Sequence, residues 1–168
     1  MKIQISHLKE GLHHIDVLEP AEKFGLDDTD TFQSDIAVSL QIDKQTGSLY
    51  IRQLVKTKAK FACDRCAEGY TTELKSDDRI VYTSDLELIK YDDSLRPLAK
   101  DQTEIDISED VREALLLAVP VKKLCDEKCK GICPQCGTNL NKSTCNCTQT
   151  RMDPRWETLK KLYQKEEK

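Results

Sequence analysis

Apolar and polar positions alternate most regularly between Ile36 and Leu74. Ile36, Val38, Leu40 and Ile42 take every second position, with Ala37, Ser39 and Gln41 between them, the period of a strand with one buried face. Asp43–Ser48, which contains Gly47, turns the chain, and Leu49, Ile51, Val55, Ala59 and Phe61 continue a buried face along a longer second strand. Gly69–Leu74 predicts a third strand, with Tyr70, Thr72 and Leu74 on one side. Shorter strands are expected at Lys2–Leu8, where Ile3 and Ile5 share a face, at Arg79–Thr83 and at Ile105–Ile107. Gly11–Leu26 has no single period and is punctuated by Pro20 and Gly25. Ser84–Glu104 is acidic and weakly patterned, and reads as a loop or partly disordered linker.

Two helices are signalled. Ser108 is placed to cap the first, Glu109 and Asp110 suit the positive end of its dipole, and Val111–Val119 is largely apolar until Pro120 stops it. Ala114, Leu115, Leu117 and Ala118 would cover the sheet, and Leu116, off that stripe, suggests burial on a second side. Asp153-Pro154 pairs an N-cap with proline at the first helical position. Trp156, Leu159, Leu162 and Tyr163 then recur at helical spacing. The expected fold is α+β. A small antiparallel sheet packs with one or two helices over residues 1–120, and residues 121–168 form a cysteine-rich, zinc-binding segment with a C-terminal helix.

Charge adds a polarity to this plan. Residues 121–168 hold eleven Lys/Arg against six Asp/Glu, a net of +5, whereas residues 1–120 carry a net of −9. Such a basic tail suits a polyanion or an acidic protein partner, and it also suits a solvated surface. The outward positions of the second strand are Arg52, Lys56, Lys58 and Lys60. This row has three readings: a wet outer face, an edge strand guarded by lysines, or a set of phosphate contacts.

The densest chemistry lies in the cysteines. Six of the eight fall between Cys125 and Cys147, and Cys63-Asp64-Arg65-Cys66 supplies the other two. Cys133-Pro134-Gln135-Cys136-Gly137 has the form of a zinc knuckle: two intervening residues let both sulfurs meet one metal, and proline and glycine set the tight turn. The N-terminus lacks an apolar leader core, and no run is long enough to span a membrane. The expected location is therefore the cytoplasm, where thiols stay reduced and metal is favoured over disulfides. Strand-like flanks at Cys63 and Cys66 favour a second knuckle over a redox pair at a helix N-terminus. Eight thiols make one or two Zn2+ sites. One arrangement joins Cys133, Cys136, Cys145 and Cys147 on one metal, and Cys63, Cys66, Cys125 and Cys129 on another, stapling the tail to the sheet. A rival uses Cys125, Cys129, Cys133 and Cys136 together. His13-His14 is read as solvent-facing.

Leu124-Cys125, Cys129-Lys130-Gly131-Ile132-Cys133, Cys136-Gly137, Asn139-Leu140-Asn141, Cys145-Asn146-Cys147 and Asp153-Pro154-Arg155 resemble the YceD family, the large ribosomal RNA subunit accumulation proteins. Cys63-Asp64-Arg65-Cys66 and the helix ending at Pro120 support the resemblance. It implies a non-enzymatic factor needed for normal levels of large-subunit ribosomal RNA, with that RNA or a large-subunit ribosomal protein as partner. Structural zinc serves that reading, with Arg52, Lys56, Lys58, Lys60 and Trp156 as candidate contacts and no small-molecule substrate. The competing classes are a thiol–disulfide or zinc-dependent enzyme and a zinc-dependent nucleic-acid-binding regulator. All-cysteine shells are usually closed and structural, whereas catalytic zinc keeps an open position and recruits histidine or carboxylate. No recognition helix with base-reading residues follows either knuckle.

Overall fold

A computed structural model describes residues 1–26, 30–92 and 94–147. The fold is α+β. Two compact units are distinguished: Met1–Asp64 with Glu68–Cys125, and Arg65–Ala67 with the chain from Asp126 onward.

The first unit is built on a five-stranded sheet of order β2-β3-β4-β5-β6. Its strands are β2 (Gly11–Glu19), β3 (Ile36–Gln45), β4 (Ser48–Ala62), β5 (Gly69–Thr83) and β6 (Leu95–Pro97). All neighbours are antiparallel except β5 and β6. A small second sheet pairs β1 (Lys2–Gln4) with β7 (Glu104–Asp106). The alternation read from the sequence is realised on β3 and β4: Ile36, Val38, Leu40, Ile42, Leu49, Ile51, Val55, Ala59 and Phe61 are all buried. Between them Gln53 and Thr57 are buried polar side chains that each donate a hydrogen bond to a backbone carbonyl. Gln53 donates to the Asp110 carbonyl at 3.2 Å, and the Thr57 hydroxyl donates to the Asp35 carbonyl at 3.1 Å.

The helix α2 (Ser108–Ala118) packs on β5 and β4 through Val111, Ala114 and Leu115. Leu116 and Leu117 are exposed, Leu117 at 86%, so the helix buries one narrow stripe and the wider burial expected from Leu116 and Leu117 does not occur. The predicted cap also differs: Ser108 lies inside the helix, and it is Asp106 that accepts from the Ser108 amide at 2.9 Å and hydroxyl at 2.6 Å. The Asp106 carboxylate thus takes up the Ser108 amide, one of the free donors of the first turn.

Three segments are more ordered than their composition suggests. Gly11–Leu26 resolves into β2 and a 3-10 turn over Ala21–Phe24, closed by Gly25 at φ 66°. Gly69–Leu74 and Arg79–Thr83 are halves of one fifteen-residue strand; Ser76 and Asp78 interrupt the apolar alternation, and the Ser76 hydroxyl donates to Asp78 instead of packing. Ser84–Glu104, expected as a loop, contains α1 (Leu86–Tyr91) and β6. Asp85 caps α1 by accepting from the Glu87 and Leu88 amides, and β6 is held by backbone pairing to Val81–Thr83. Among the described residues no helix is long and apolar enough to cross a membrane.

A polar network fastens β5, β6 and α2 together. Asp110, 8% exposed, accepts from the Tyr82 hydroxyl at 3.1 Å and from the Arg96 guanidinium at 3.2 Å. Burial, with the Asp110 carboxylate beside it, pushes the Tyr82 phenol well above its ordinary value. Removing the hydroxyl leaves a buried carboxylate one donor short. Tyr82→Phe is therefore expected to destabilise the fold by about 1.5–3 kcal/mol, read as a lower urea midpoint with an unchanged slope.

Candidate metal centres

The second unit is organised by turns. The Cys133 amide donates to the Thr138 carbonyl at 2.8 Å and the Gly137 amide to the Cys133 carbonyl at 2.9 Å, which closes the knuckle. Gly137 sits at φ 73°, left-handed backbone that favours glycine. Ile132 and Asn139 bridge across the base of this turn. Gly131 is constrained further: it lies at φ 78°, and a Cβ there would come within 2.9 Å of the Arg65 carbonyl oxygen. That oxygen accepts from the Ile132 amide at 3.1 Å, while the Arg65 guanidinium donates to the Cys129 carbonyl at 2.8 Å and the Glu127 carbonyl at 3.0 Å. Arg65 thus locks the Cys129–Ile132 segment, a role the bare Cys-x-x-Cys spacing did not show.

The sulfurs form two groups. Those of Cys133, Cys136, Cys145 and Cys147 all lie within 4.8 Å of one another, and so do those of Cys63, Cys66, Cys125 and Cys129. The rival set of Cys125, Cys129, Cys133 and Cys136 is not brought together. The second group draws its pairs from two hairpin-like turns. Cys63 donates its amide to the Glu68 carbonyl at 2.9 Å, and Asp64 exchanges two backbone-anchored bonds with Lys123 at 2.8 and 2.7 Å, beside Cys125.

Both donor sets fit a metal. Four thiolates about 2.3 Å from a tetrahedral ion stand about 3.8 Å apart, inside the 4.8 Å that bounds each cluster. The electrostatics agree. In the first cluster the hydrogen bond with the Thr138 hydroxyl, 3.1 Å from the Cys136 sulfur, pulls the Cys136 thiol down to about 6. Its hydrogen bond to Cys136, aided by burial, pushes the Cys147 thiol up to about 12. One thiolate is favoured and its neighbour is held protonated, because like charges this close disfavour each other. A divalent cation removes that conflict. In the other cluster the Asn141 amide donates to the Cys129 sulfur at 3.2 Å, a bond of the kind that orients and tunes a ligating thiolate. Two divalent ions can therefore be held, one per cluster.

The other predicted contacts fall as follows. Lys56, Lys58 and Lys60 are exposed on β4. Arg52 is also outward but is clasped by Asp77 through two bonds of 2.8 and 2.6 Å, and this pair lowers the Asp77 carboxyl below its usual range. Trp156 and the predicted helix after Asp153 lie outside the described residues. His14 is exposed, and the His13 ring is 2.8 Å from the Lys9 carbonyl; among the described residues neither belongs to a metal group.

A sequence profile described as large ribosomal RNA subunit accumulation protein YceD matches residues 52–163. The chain belongs to the YceD family. The match opens at Arg52 and takes in the lysine row and all eight cysteines. Two plant relatives are named chloroplastic large ribosomal RNA subunit accumulation protein YCED homolog 1. That of Arabidopsis thaliana is 25% identical over 155 residues, 76% of this chain and 48% of its own. That of Zea mays is 29% identical over 142 residues, 67% of this chain and 48% of its own. An uncharacterized protein of Mycobacterium tuberculosis is 32% identical over 81 residues, 44% of this chain and 39% of its own. This YceD chain spans about half the length of the plant relatives it matches. No solved structure matches.

Chelator-free protein is expected to carry two divalent ions, one for each cluster, by mass spectrometry of its metals. Cys133→Ser should release one of them and melt the segment that holds it, since binding energy in such a site is folding energy. Disulfides in place of metal would contradict the assignment.

Proposed function

We propose that this protein is a non-enzymatic factor that supports accumulation of large-subunit ribosomal RNA during ribosome assembly. The observation that carries the reading is membership of the YceD family across residues 52–163, joined to plant relatives named for that accumulation. Its direct partner is large-subunit ribosomal RNA or a large-subunit ribosomal protein, met in the cytoplasm.

The metal in both clusters is Zn2+, in a structural role. Each donor set is four thiols, soft ligands that suit zinc. Four protein ligands close the coordination shell, which leaves no open position at which a water or substrate would be activated. Cys63, Cys66, Cys125 and Cys129 bind one ion, and Cys133, Cys136, Cys145 and Cys147 bind the other. Their work is to fix turns such as Cys133–Gly137 that have too little apolar surface to hold themselves.

The test is a deletion strain. Loss of the protein should lower mature large-subunit ribosomal RNA relative to the small subunit's in ribosome profiles, and wild-type protein should restore it. A Cys133→Ser, Cys136→Ser protein should rescue poorly. Normal subunit ratios in the deletion strain would contradict the function, whereas full rescue by the double variant would contradict only the need for the metal.

A further inference from the structure

We propose that the outward face of the β4–β5 ladder binds RNA along its phosphate backbone. This rests on the reading above and names the partner and the surface. Lys56, Lys58 and Lys60 occupy successive outward positions of β4, an array about 14 Å long at a strand's rise. The register sets Lys75 of β5 opposite Lys56, and Arg79 opposite Arg52. Directly opposed side chains stand about 4.5–5.5 Å apart, and like charges there destabilise the sheet.

On the outward positions of the two strands Arg52, Lys56, Lys58, Lys60, Lys75 and Arg79 outnumber the acids, Glu73, which lies opposite Lys58, and Asp77. Asp77 is taken up by Arg52, and Glu73 pairs with Lys75 at 3.2 Å. Among the described residues no ion pair engages Lys56, Lys58 or Lys60. Edge guarding does not account for the whole row. β4 lies between β3 and β5, and β3 pairs with it as far as Lys56. Beyond that the Thr31 carbonyl accepts from the Lys60 amide at 2.9 Å. A lysine such as Lys56 on a strand paired on both sides gives no protection against edge pairing.

What the array fits is a linear polyanion. Each ammonium is a point charge that suits a phosphate, and the strand repeats it at nearly even intervals. Tyr50, 45% exposed on the same face of β4, adds an aromatic ring of the kind on which a base stacks. Because the whole chain carries −4, the attraction is local to this face, not a product of net charge.

The test is a salt titration of binding between the full metal-loaded chain and a fluorescent, unstructured 20-nucleotide RNA. Lys56→Glu, Lys58→Glu, Lys60→Glu is expected to weaken binding about 100-fold at 0.1 M salt and to flatten the slope of log K against log salt by about two units. Because Lys58→Glu faces Glu73, a companion with glutamine at all three positions guards against misfolding and should flatten the slope similarly. Lys9→Glu, Lys100→Glu, Lys122→Glu, at exposed sites elsewhere, matches the change in net charge and should bind like wild type. Wild-type affinity and slope in the glutamine variant would overturn the proposal. So would no binding by wild type, or equal competition by poly-glutamate, which would point to an acidic protein. These results leave the role in RNA accumulation standing, since the deletion phenotype reads it separately.

Discussion

The fold depends on one ladder. β4 and β5, each fifteen residues long, pair from Ser48↔Thr83 to Ala62↔Gly69, and the two-residue side-chain period of that ladder divides the molecule's work. Inward positions make the core, from Leu49 to Phe61. Outward positions carry the cations. A slip of one residue would exchange the two faces and bury Lys56, Lys58 and Lys60. Core packing and charge display are thus a single constraint, and the apolar inner face is what keeps the cationic face in register.

The same ladder delivers chemistry at its end. β4 stops at Ala62, and Cys63 and Cys66 follow in the connection to β5. The cysteine-rich segment has the opposite economy. It has little apolar surface and relies on turns, on Arg65, on Asn139 and Asn141, and in the proposed account on metal, to fix its backbone. Four thiols within 4.8 Å are a poor arrangement for thiolates alone and a good one for thiolates around a divalent cation, which is why that segment's order and its metal content are expected to rise and fall together.

Alternation and cysteine spacing were the legible parts of the sequence. Period two on β3 and β4 identified the buried residues, because one face there is apolar at every position but Gln53 and Thr57. The continuity of β5 was hidden: Gly69–Leu74 and Arg79–Thr83 read as separate strands because Ser76 and Asp78 break the pattern and satisfy each other. That in turn hid Lys75 and Arg79, whose place beside the lysine row follows only from register. α1 and β6 owe their order to a capping carboxylate, edge pairing and the Arg96–Asp110 contact, none of which leaves a hydrophobic period. Knuckle spacing located the cysteines, whereas Arg65, Gly131 and Asn141 gained their roles only through contacts.

The central claim is that this protein meets large-subunit ribosomal RNA directly, through the face that β4 and β5 hold outward. Ultraviolet cross-linking in growing cells, with the cross-linked peptides located by mass spectrometry and the attached RNA sequenced, tests it most directly. The account predicts cross-links on the peptides spanning Tyr50–Lys60 and Lys75–Arg79, joined to large-subunit ribosomal RNA. Cross-links confined to other peptides, or to RNA of the small subunit, would contradict it.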